Sequence, residues 1–403
     1  MTRESLRMPV MVLVGAGLLL SVSMGVRHGF GLFLQPMSAD LGWSRQSFAF
    51  ALALQNLIWG AMQPMTGMLA DRFGAGRVIF VGGALYFCGL LMMAYSQTGS
   101  DFALGAGLLI GLGLSGTTFS IVLGVVGRST APERRSMALG IAAAAGSAGQ
   151  FLMLPIEQGL ISTYGWFTAL LAIAAVAALM MPLSALLAEP RRSVPAGPRQ
   201  SAREAVREAL GHRGFVLLTL GFFVCGFQVV FIAVHLPAYL LDKGLSAQTG
   251  MIALALIGFC NIIGTYVAGW LGGKVPKKYL LSGLYFGRAI VITVFVLTPL
   301  SPLVVYVFAA SIGILWLATV PLTNAIVAQV FGVQFVSMLS GFVFFSHQIG
   351  SFLGVWLGGV LFDRTGSYMI VWIISIALGV IAGIVNLPID EKPLARITPA
   401  PAV

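Results

Sequence analysis

A few ionisable side chains stand inside long apolar stretches of the sequence, where an ordinary solvated charge has no place. Arg27 and His28 lie in one such stretch, Glu157 in a second and His347 in a third. A charge at the centre of a bilayer costs about 2.5–3.5 kcal/mol on insertion scales, so these side chains are expected to face a polar interior. Arg27 and His28 can donate hydrogen bonds to an anion. Glu157 and His347 can take up and release a proton.

Uncharged polar residues near the middle of the same stretches extend this set. They are Gln55, Asn56, Thr118, Gln150, Gln228, Asn261, Asn324 and Gln348. We expect them to line a substrate site together with Arg27, His28 and His347. Packing between helices is the alternative for each of them, because amide and hydroxyl side chains also hold membrane helices together.

The composition indicates the class of protein that positions these groups. Of the 403 residues, 58% are hydrophobic and only 9% are charged, whereas soluble domains average about 25% charged residues. A soluble fold cannot hide that much apolar surface. The composition therefore excludes a soluble enzyme, a disordered chain and a disulfide-stapled module, and it predicts a polytopic membrane protein.

Twelve stretches are long enough to cross a bilayer core of about 30 Å, which needs roughly 20 apolar residues per helix. These predicted spans are 9–36, 46–70, 78–97, 102–127, 137–163, 166–187, 214–241, 247–272, 279–298, 302–328, 336–362 and 367–388. The runs are too long and too continuous for the alternating strands of a membrane barrel. The fold class is therefore an all-α membrane protein.

The net charge of +10 is explained by topology. With the N-terminus inside, eighteen of the 23 lysines and arginines fall in inner segments and three in outer loops, the asymmetry expected of cytoplasmic loops. Both termini are then cytoplasmic. Because these basic residues do not form one basic face in water, a nucleic-acid partner is excluded. Arg288 lies within span nine and is expected to be structural or to reach toward the lipid interface.

Matches at a shift of about 201 residues indicate an internal repeat. Ser136-Met137 with Gly140 recurs as Ser337-Met338 with Gly341. The repeat predicts two six-helix bundles, 1–187 and 214–403, the latter ending in a cytoplasmic tail, joined by a cytoplasmic linker, 188–213. Part of that linker, 200–210, is either a short surface helix or solvated chain. Carriers built from repeats place their binding site at the repeat interface.

The loop after span two carries the pattern Gly67-Met68-Leu69-Ala70-Asp71-Arg72-Phe73-Gly74-Ala75-Gly76-Arg77. It resembles the loop between helices two and three of the major facilitator superfamily. The resemblance implies a 6+6 pseudo-symmetric fold that works by alternating access. It also implies that Asp71, with Arg72 and Arg77, forms a cytoplasmic gate against a helix of the other half. Because the superfamily places helices one and five side by side, we expect Arg27 and Glu157 to be partners or to share a water.

Two further stretches resemble the monocarboxylate and oxalate/formate porter branch of this superfamily. They are Gly31-Leu32-Phe33-Leu34-Gln35-Pro36-Met37, which leads into Asp40-Leu41-Gly42-Trp43-Ser44-Arg45, and Phe345-Ser346-His347-Gln348-Ile349-Gly350-Ser351. His347 stands where the oxalate/formate exchangers place a basic residue on helix eleven. The sequence departs from that branch at Thr265, where the exchangers have an arginine, and span eight carries no acid.

Two transport functions fit these residues. The first is proton-coupled uptake of a small, monocarboxylate-like organic anion, with Glu157 and His347 as the proton-coupling groups. The second is efflux of drugs or metabolites by antiport, a branch that shows Gly-Pro-x-x-Gly-Gly in helix five. Span five reads Gly146-Ser147-Ala148-Gly149-Gln150 instead, and the balance of buried charge favours uptake of an anion.

An enzyme is not expected, because the sequence has no HExxH motif, no Ser/His/Asp set and no metal-spaced cluster. No cofactor and no metal are expected either. The expected partners are the small-molecule substrate, protons and the lipid bilayer. We expect a monomer in a bacterial inner membrane.

Overall fold

The computed structural model describes residues 3–129, 132–188, 201–331 and 336–394, and in these ranges the chain is helical and has no β-strand. This confirms the all-α class. The α-helices are α1 Arg3–His28, α2 Phe30–Leu41, α3 Arg45–Phe73, α4 Ala75–Ala94, α5 Gly99–Phe102, α6 Ile110–Thr117, α7 Phe119–Ser129, α8 Pro132–Ala178, α9 Met180–Leu183, α10 Ala202–Gly211, α11 Arg213–Asp242, α12 Ala247–Leu271, α13 Lys277–Leu297, α14 Pro302–Leu315, α15 Thr319–Phe331, α16 Val336–Thr365 and α17 Met369–Asn386. A π-helical segment, Ala103–Leu109, joins α5 to α6.

The helices account for twelve membrane spans. Ten stretches of the described residues are long and apolar enough to cross a bilayer. One of these, Ala144–Leu187, contains two spans, because Gly165 (φ 78°, ψ 166°) turns the chain within α8. The twelfth span is α3, whose 29 residues include several polar side chains that lower its mean hydropathy. The twelve-helix arrangement predicted from the sequence is confirmed.

Three spans are interrupted near their middle. Span one bends at Gly29, between α1 and α2. Span four is broken at Thr118, whose backbone is extended (φ −107°, ψ −172°). Span ten is broken between Leu315 and Thr319, the end of α14 and the start of α15. Thr118 and Thr319 are separated by the 201 residues of the sequence repeat.

Glycine contacts between helices recur at the same separation. A Cβ on Gly25 of α1 would lie 2.7 Å from the Gly149 carbonyl oxygen of α8. A Cβ on Gly350 of α16 would lie 2.0 Å from the Phe223 carbonyl oxygen of α11, and Gly226 of α11 is as tightly packed against α16. Gly226 and Gly350 lie 201 residues after Gly25 and Gly149, so the two contacts occupy equivalent positions of the sequence repeat. Small residues let these backbones approach closely.

A short helix lies at the end of the predicted linker. α10 begins with a capping box, in which Ser201 and Glu204 exchange hydrogen bonds with each other's backbone. The Ser201 backbone N–H holds the pKa of Glu204 below its usual range. Residues 200–210 were expected as either a surface helix or solvated chain, and from Ala202 they are helical. The segment 189–200 lies outside the described residues.

α3 and α16 run antiparallel and touch along part of their length. A Cβ on Gly359 would lie 2.8 Å from the Ala49 side chain, and a Cβ on Gly60 would lie 2.7 Å from Gln348. Both pairs belong to the same antiparallel register. From Ala49 to Gly60 the numbering on α3 rises by as many residues as it falls on α16 from Gly359 to Gln348. The two helices are therefore in close contact from Ala49 to Gly60.

The same two helices separate beyond Gly60. Gly67 and Gly341 are the next glycine pair in that register, and no heavy atom of another helix lies within 4 Å of a Cβ built on either of them among the described residues. The helices are thus splayed at the end of the bundle that carries Gly67 and Gly341, which we call the parted end. The end that carries Ala49 and Gly359 is called the closed end.

Candidate functional site

A small pocket lies between α1, α2, α3 and α11, on the closed-end side of the Gly60 contact. Four of its lining residues are the polar side chains Arg27, His28, Gln55 and Asn56. The cavity volume is about 20 Å³, which is room for about one water molecule, so a larger ligand fits only after the surrounding helices move apart. The sequence predicted all four side chains as substrate-binding, and the structure brings these four together.

Arg27 is held by two residues of α3. Its guanidinium donates to Asn56 Oδ1, and its carbon Cζ lies 4.8 Å from the centre of the Trp59 ring. Asn56 in turn donates to the Leu52 carbonyl oxygen at 2.7 Å, which fixes the direction of its own oxygen. Arg27 Nε is buried and has no acceptor among the residues that the structure describes. The guanidinium is therefore oriented, but one of its donors is left unused.

His28 adds a second unused nitrogen to the same pocket. Its side chain is buried, and its Nε2 has no hydrogen-bond partner among the described residues. The opposite wall belongs to α11 and is apolar, formed by Val230, Ala233 and Val234. A site with two buried polar nitrogens on one side and aliphatic side chains on the other suits a small ligand with one polar end.

Glu157 is fully buried close to this pocket but does not pair with Arg27. It lies against Gly29 at the bend in span one, where a Cβ would fall on its carboxylate. Neither of its oxygens has a hydrogen-bond partner in the described residues. The direct pair expected from the sequence is therefore not formed, since the Arg27 guanidinium turns toward α3 and takes Asn56 instead.

The remaining polar residues of the first six spans have separate neighbours. Gln55 donates to the Ala106 carbonyl oxygen at 2.7 Å, at the π-helical part of span four. Thr118 Oγ1 accepts a hydrogen bond from Trp59 Nε1 at 3.1 Å. Gln150 is buried and lies near Gly258 of α12, and its Oε1 has no partner in the described part of the chain. Thr118 therefore supports Trp59, which the sequence reasoning did not single out.

Gln228 and Asn261 hold the helices of the second six spans. Gln228 donates to the Ser375 carbonyl oxygen at 2.8 Å and accepts from Arg288 at 3.5 Å. Asn261 Oδ1 accepts the backbone N–H of Leu317 at 3.0 Å, inside the break in span ten. Both lie away from the pocket that Arg27 lines. A role of these two residues in substrate binding stays a prediction.

Arg288 is buried inside the protein and does not face lipid, contrary to one of the two roles expected for it. Only 1% of its side chain is exposed. Its Nε and Nη2 donate to the Leu315 carbonyl oxygen at 3.0 and 2.7 Å, and Nη2 also donates to the Trp316 carbonyl oxygen. These are carbonyls that the end of α14 leaves without helical partners. Arg288 therefore caps the broken helix.

Replacing Arg288 with methionine is expected to lower the free energy of unfolding by about 1–3 kcal/mol, because buried carbonyls lose their donors. A lysine at this position cannot bridge both carbonyls in the same way and should restore only part of the loss. Thermal denaturation of the purified protein measures both variants. A methionine variant as stable as the unmodified chain would contradict a capping role.

His347 and Gln348 lie on α16 and are linked to each other. His347 Nδ1 lies 3.2 Å from Gln348 Oε1, and the His347 ring stacks on Phe344 with centroids 5.5 Å apart. The side chain of Gln348 is fully buried against Gly60 of α3, and its Nε2 has no partner in the described residues. His347 is therefore near the contact between α3 and α16 but does not line the Arg27 pocket.

Comparison with known proteins identifies the chain. A profile described as the Major Facilitator Superfamily matches residues 13–354. The chain belongs to the major facilitator superfamily. It is a multi-pass membrane transporter of small molecules and is not an enzyme. The resemblance recognised from the loop after span two is thus confirmed.

Relatives of known sequence include members of this superfamily from bacteria and animals. The uncharacterized MFS-type transporter YcxA of Bacillus subtilis is 26% identical over 92% of this chain and 93% of its own. Human monocarboxylate transporter 11 is 28% identical over 88% of this chain and 77% of its own. Bovine monocarboxylate transporter 13 is 26% identical over 91% of this chain and 85% of its own. The chain is related to monocarboxylate transporters of the superfamily.

The fold also matches solved superfamily structures. A bacterial homolog of the human lysosomal transporter Spinster, in an inward-facing and unoccupied conformation, superimposes with a TM-score of 0.74. The match covers 98% of this chain and 99% of the other at 15% identity. At this identity the likeness concerns the fold alone.

The remaining residues predicted from the sequence are Asp71, Arg72 and Arg77 at the gate and Asn324 at the substrate site. Arg77 is exposed at the start of α4. The side chains of Asp71 and Arg72 lie outside the described part of the structure, although their backbones belong to α3. Asn324 is exposed on α15 and donates to the Val320 carbonyl oxygen of its own helix at 3.1 Å. None of these three groups joins the Arg27 pocket in the described residues.

The closed end carries an ion pair between helices that lie far apart in the sequence. Arg45, at the start of α3, donates to both carboxylate oxygens of Asp242, at the end of α11, at 2.5 Å each. It also donates to the Tyr368 hydroxyl at 3.0 Å, and its Cζ lies 3.9 Å from the centre of the Phe362 ring. The sequence reasoning counted Arg45 only as an outer-loop charge. No local pattern pointed to its partners.

A second carboxylate strengthens this connection. Asp363, near the end of α16, accepts the backbone N–H groups of Arg45 and Gln46 at 3.2 and 2.7 Å. A carboxylate at a helix N-terminus is favoured by the helix dipole. We call the residues Arg45, Asp242, Asp363 and Tyr368 the clasp, since they join α3 to α11, α16 and the start of α17.

Proposed function

We propose that the protein carries a small monocarboxylate-like anion across the bacterial inner membrane by proton-coupled uptake. The observation that carries this proposal is the pair of unused buried nitrogens, Arg27 Nε and His28 Nε2, at one pocket. A buried guanidinium without a carboxylate partner has a large desolvation cost, which a bound anion would offset. The apolar wall of α11 then contacts the body of the substrate.

The relatives give independent support for this class of substrate. Three groups of them bear the name monocarboxylate transporter, numbers 11, 12 and 13. Those names describe the relatives, and the pocket supplies a physical reason to extend the class to this chain. A carboxylate accepts charge-assisted hydrogen bonds from Arg27, and bonds of this kind are the strong ones. The His28 ring already donates to the Leu254 carbonyl oxygen, so its Nε2 donates to the anion only when the ring is protonated.

Alternating access provides the movement. In our proposal the two six-helix halves, 1–187 and 214–403, rock about the pocket, with 188–213 as the connection on the cytoplasmic side. The splay between Gly67 and Gly341 supports a state that is open at the parted end. The positive-inside pattern makes the parted end cytoplasmic, with both termini on that side. Asp71, Arg72 and Arg77 then form the gate that closes there.

Glu157 is the proposed proton carrier. It is fully buried, no described residue donates to either of its oxygens, and an ionised carboxylate in such a place costs several kcal/mol. The group is therefore expected to be protonated in this state and to ionise only when water or a donor reaches it. His347 is the second proposed coupling group, because it lies beside the contact between α3 and α16 that must change during the cycle.

Thermal stabilisation of the purified protein by candidate ligands tests the substrate class. Monocarboxylates are expected to raise the melting temperature, because a ligand that binds the folded state stabilises it by mass action. Arg27→Ala should raise the dissociation constant by roughly 10- to 100-fold, the effect expected from the loss of a charge-assisted hydrogen bond. Lys243→Ala removes an exposed charge at the closed end and should leave the affinity unchanged.

The candidate ligands in this thermal-stability experiment also include sugars, amino acids and cationic dyes. Stabilisation by cations alone would overturn the anion proposal and favour efflux of cationic compounds. Stabilisation by monocarboxylates that survives Arg27→Ala would place the anion elsewhere in the protein.

A further inference from the structure

Trp59 contacts Arg27, Thr118 and Phe344, which belong to three different spans. The face of its ring lies against Arg27, with the guanidinium carbon 4.8 Å from the ring centre. Its Nε1 donates to Thr118 Oγ1 at 3.1 Å, at the break in span four. Its edge packs on Phe344 of α16, with centroids 5.4 Å apart and planes at 69°. Only 6% of Trp59 is exposed, so the orientation of its ring is fixed by these neighbours.

Phe344 continues this arrangement in the second half of the chain. Its ring is nearly parallel to that of His347, with centroids 5.5 Å apart and an interplanar angle of 7°. Arg27, Trp59, Phe344 and His347 therefore form a continuous row of stacked or edge-packed groups. The row crosses from α1 and α3 to α16, the helices that must move apart when access changes.

The position of the Trp59–Phe344 contact along the bundle is informative. Trp59 follows Asn56 by three residues on α3, a rise of about 4.5 Å toward the parted end. Its neighbour Gly60 marks the close contact with Gln348, whereas Gly67 has no heavy atom within 4 Å of a Cβ position. The aromatic pair thus lies between the Arg27 pocket and the splayed part of α3 and α16.

We propose that Trp59 and Phe344 form a thin gate that separates the Arg27 pocket from the parted end and limits the size of the anion that passes. The proposal rests on the proposed function for the identity of the substrate but not for the existence of the gate. At the closed end the clasp holds α3 to α11 and α16, so the proposed route for ligand exchange in this state runs past the two rings.

The orientation of Trp59 links this gate to the binding site. The cation–π contact is strongest while Arg27 has no anion, because the guanidinium then has its full attraction for the ring. An anion on Arg27 competes for that charge and releases the ring. Trp59 is therefore a positioning residue, which acts on the substrate through Arg27 and on the gate through Phe344.

Thiol labelling of the pocket tests the gate without knowledge of the substrate. Val230→Cys places a thiol on the apolar wall, and an anionic methanethiosulfonate reagent reports whether water reaches it in the purified full-length protein. Phe344→Ala is expected to raise the labelling rate about tenfold, because an edge-packed aromatic contact is lost. Phe342→Ala, at an exposed site of the same helix, is the matched control and should leave the rate unchanged. The parent chain gives the background from the three native cysteines.

The hydrogen bond at Thr118 gives a second measurement with milder variants. Trp59→Phe keeps an aromatic ring but removes the donor, and Thr118→Val keeps the size but removes the acceptor. Each should raise the labelling rate by roughly two- to tenfold, the effect of one hydrogen bond. The double variant should equal the single variants, because both remove the same bond.

The outcomes separate this inference from the proposed function. Equal labelling in Phe344→Ala and Phe342→Ala, with both proteins folded, would overturn the gate whatever the substrate is. Faster labelling in Phe344→Ala supports the gate, even where no organic anion stabilises the protein. If monocarboxylates are substrates, Phe344→Ala should also extend transport to bulkier acids, and an unchanged size limit would contradict the role in selectivity.

Discussion

Glu157→Gln is expected to abolish accumulation of the substrate driven by a proton gradient while leaving exchange of substrate across the membrane intact. Glutamine has the same shape as a protonated glutamate, so the contact with Gly29 is kept. Glutamine cannot release a proton, however. The empty carrier therefore no longer returns with an ionised side chain at position 157. Coupling of one proton per anion gives about tenfold accumulation per pH unit, and the variant should show none.

The measurement uses proteoliposomes with the substrate identified by thermal stabilisation. Uptake against a gradient is recorded with and without an imposed pH difference, and counterflow at equal pH reports exchange. Glu157→Asp is the matched control, because it keeps a titratable carboxyl group at the same bend and should retain part of the coupling. Unchanged proton-driven uptake in Glu157→Gln would show that another group carries the proton.

Arg45→Ala is expected to shift the protein toward a state in which the closed end is open. The substitution removes a bidentate ion pair with Asp242, a hydrogen bond to Tyr368 and a contact with the Phe362 ring. The Arg45 and Asp242 side chains are 12% and 26% exposed, so solvent screens the pair only in part. A loss of about 1–2 kcal/mol changes the ratio of the two states by roughly 5- to 30-fold.

A hydrogen-bond chain behind Arg45 gives the clasp its rigidity. His235 Nε2 must donate to the Val355 carbonyl oxygen at 2.8 Å, because a carbonyl only accepts. Its Nδ1 then accepts from the Tyr368 hydroxyl at 3.2 Å, which leaves the Tyr368 oxygen to accept from Arg45. The chain connects Arg45 through Tyr368 and His235 to α16, so the removal of Arg45 loosens more than one contact.

Distances between spin labels at the closed end measure the shift. Labels at Ser100 and Lys243, both exposed, are introduced after the exposed Cys88 has been replaced by serine. The Arg45→Ala variant should show a longer distance, and Asp242→Asn should show a similar one because it breaks the same pair. Arg364→Ala removes an exposed neighbouring charge and serves as control. An unchanged distance in Arg45→Ala would mean that the clasp does not hold this end.

Four of the residues predicted to bind substrate lie around one pocket, and their role in binding stays a prediction. Arg27, His28, Gln55 and Asn56 could be selected because polar groups are costly in apolar stretches and must meet other polar groups. Which groups they meet depends on the rotation and bending of each helix. The bend at Gly29 and the direction of the guanidinium toward α3 decide that Arg27 binds Asn56 and leaves Glu157 alone.

Trp59 and Arg288 also make contacts that the sequence does not predict. A tryptophan in an apolar span is unremarkable by composition, and nothing local indicates that Trp59 lies between Arg27 and Phe344. Arg288 was expected to be structural or to reach toward the lipid interface, because long basic side chains can extend along an apolar surface. The break in span ten instead presents free carbonyls to it, and a buried arginine is satisfied there.

The sequence by itself determined the number of spans, the all-helical class, the superfamily and the few buried groups able to bind or carry charge. These depend on the length and polarity of continuous segments, which the bilayer makes decisive. The tertiary structure alone decided the partners of those groups, the clasp at Arg45 and the contact of Trp59 with Phe344. Such contacts join residues from 27 to 323 positions apart, and their geometry follows from helix breaks and crossings that no local pattern records.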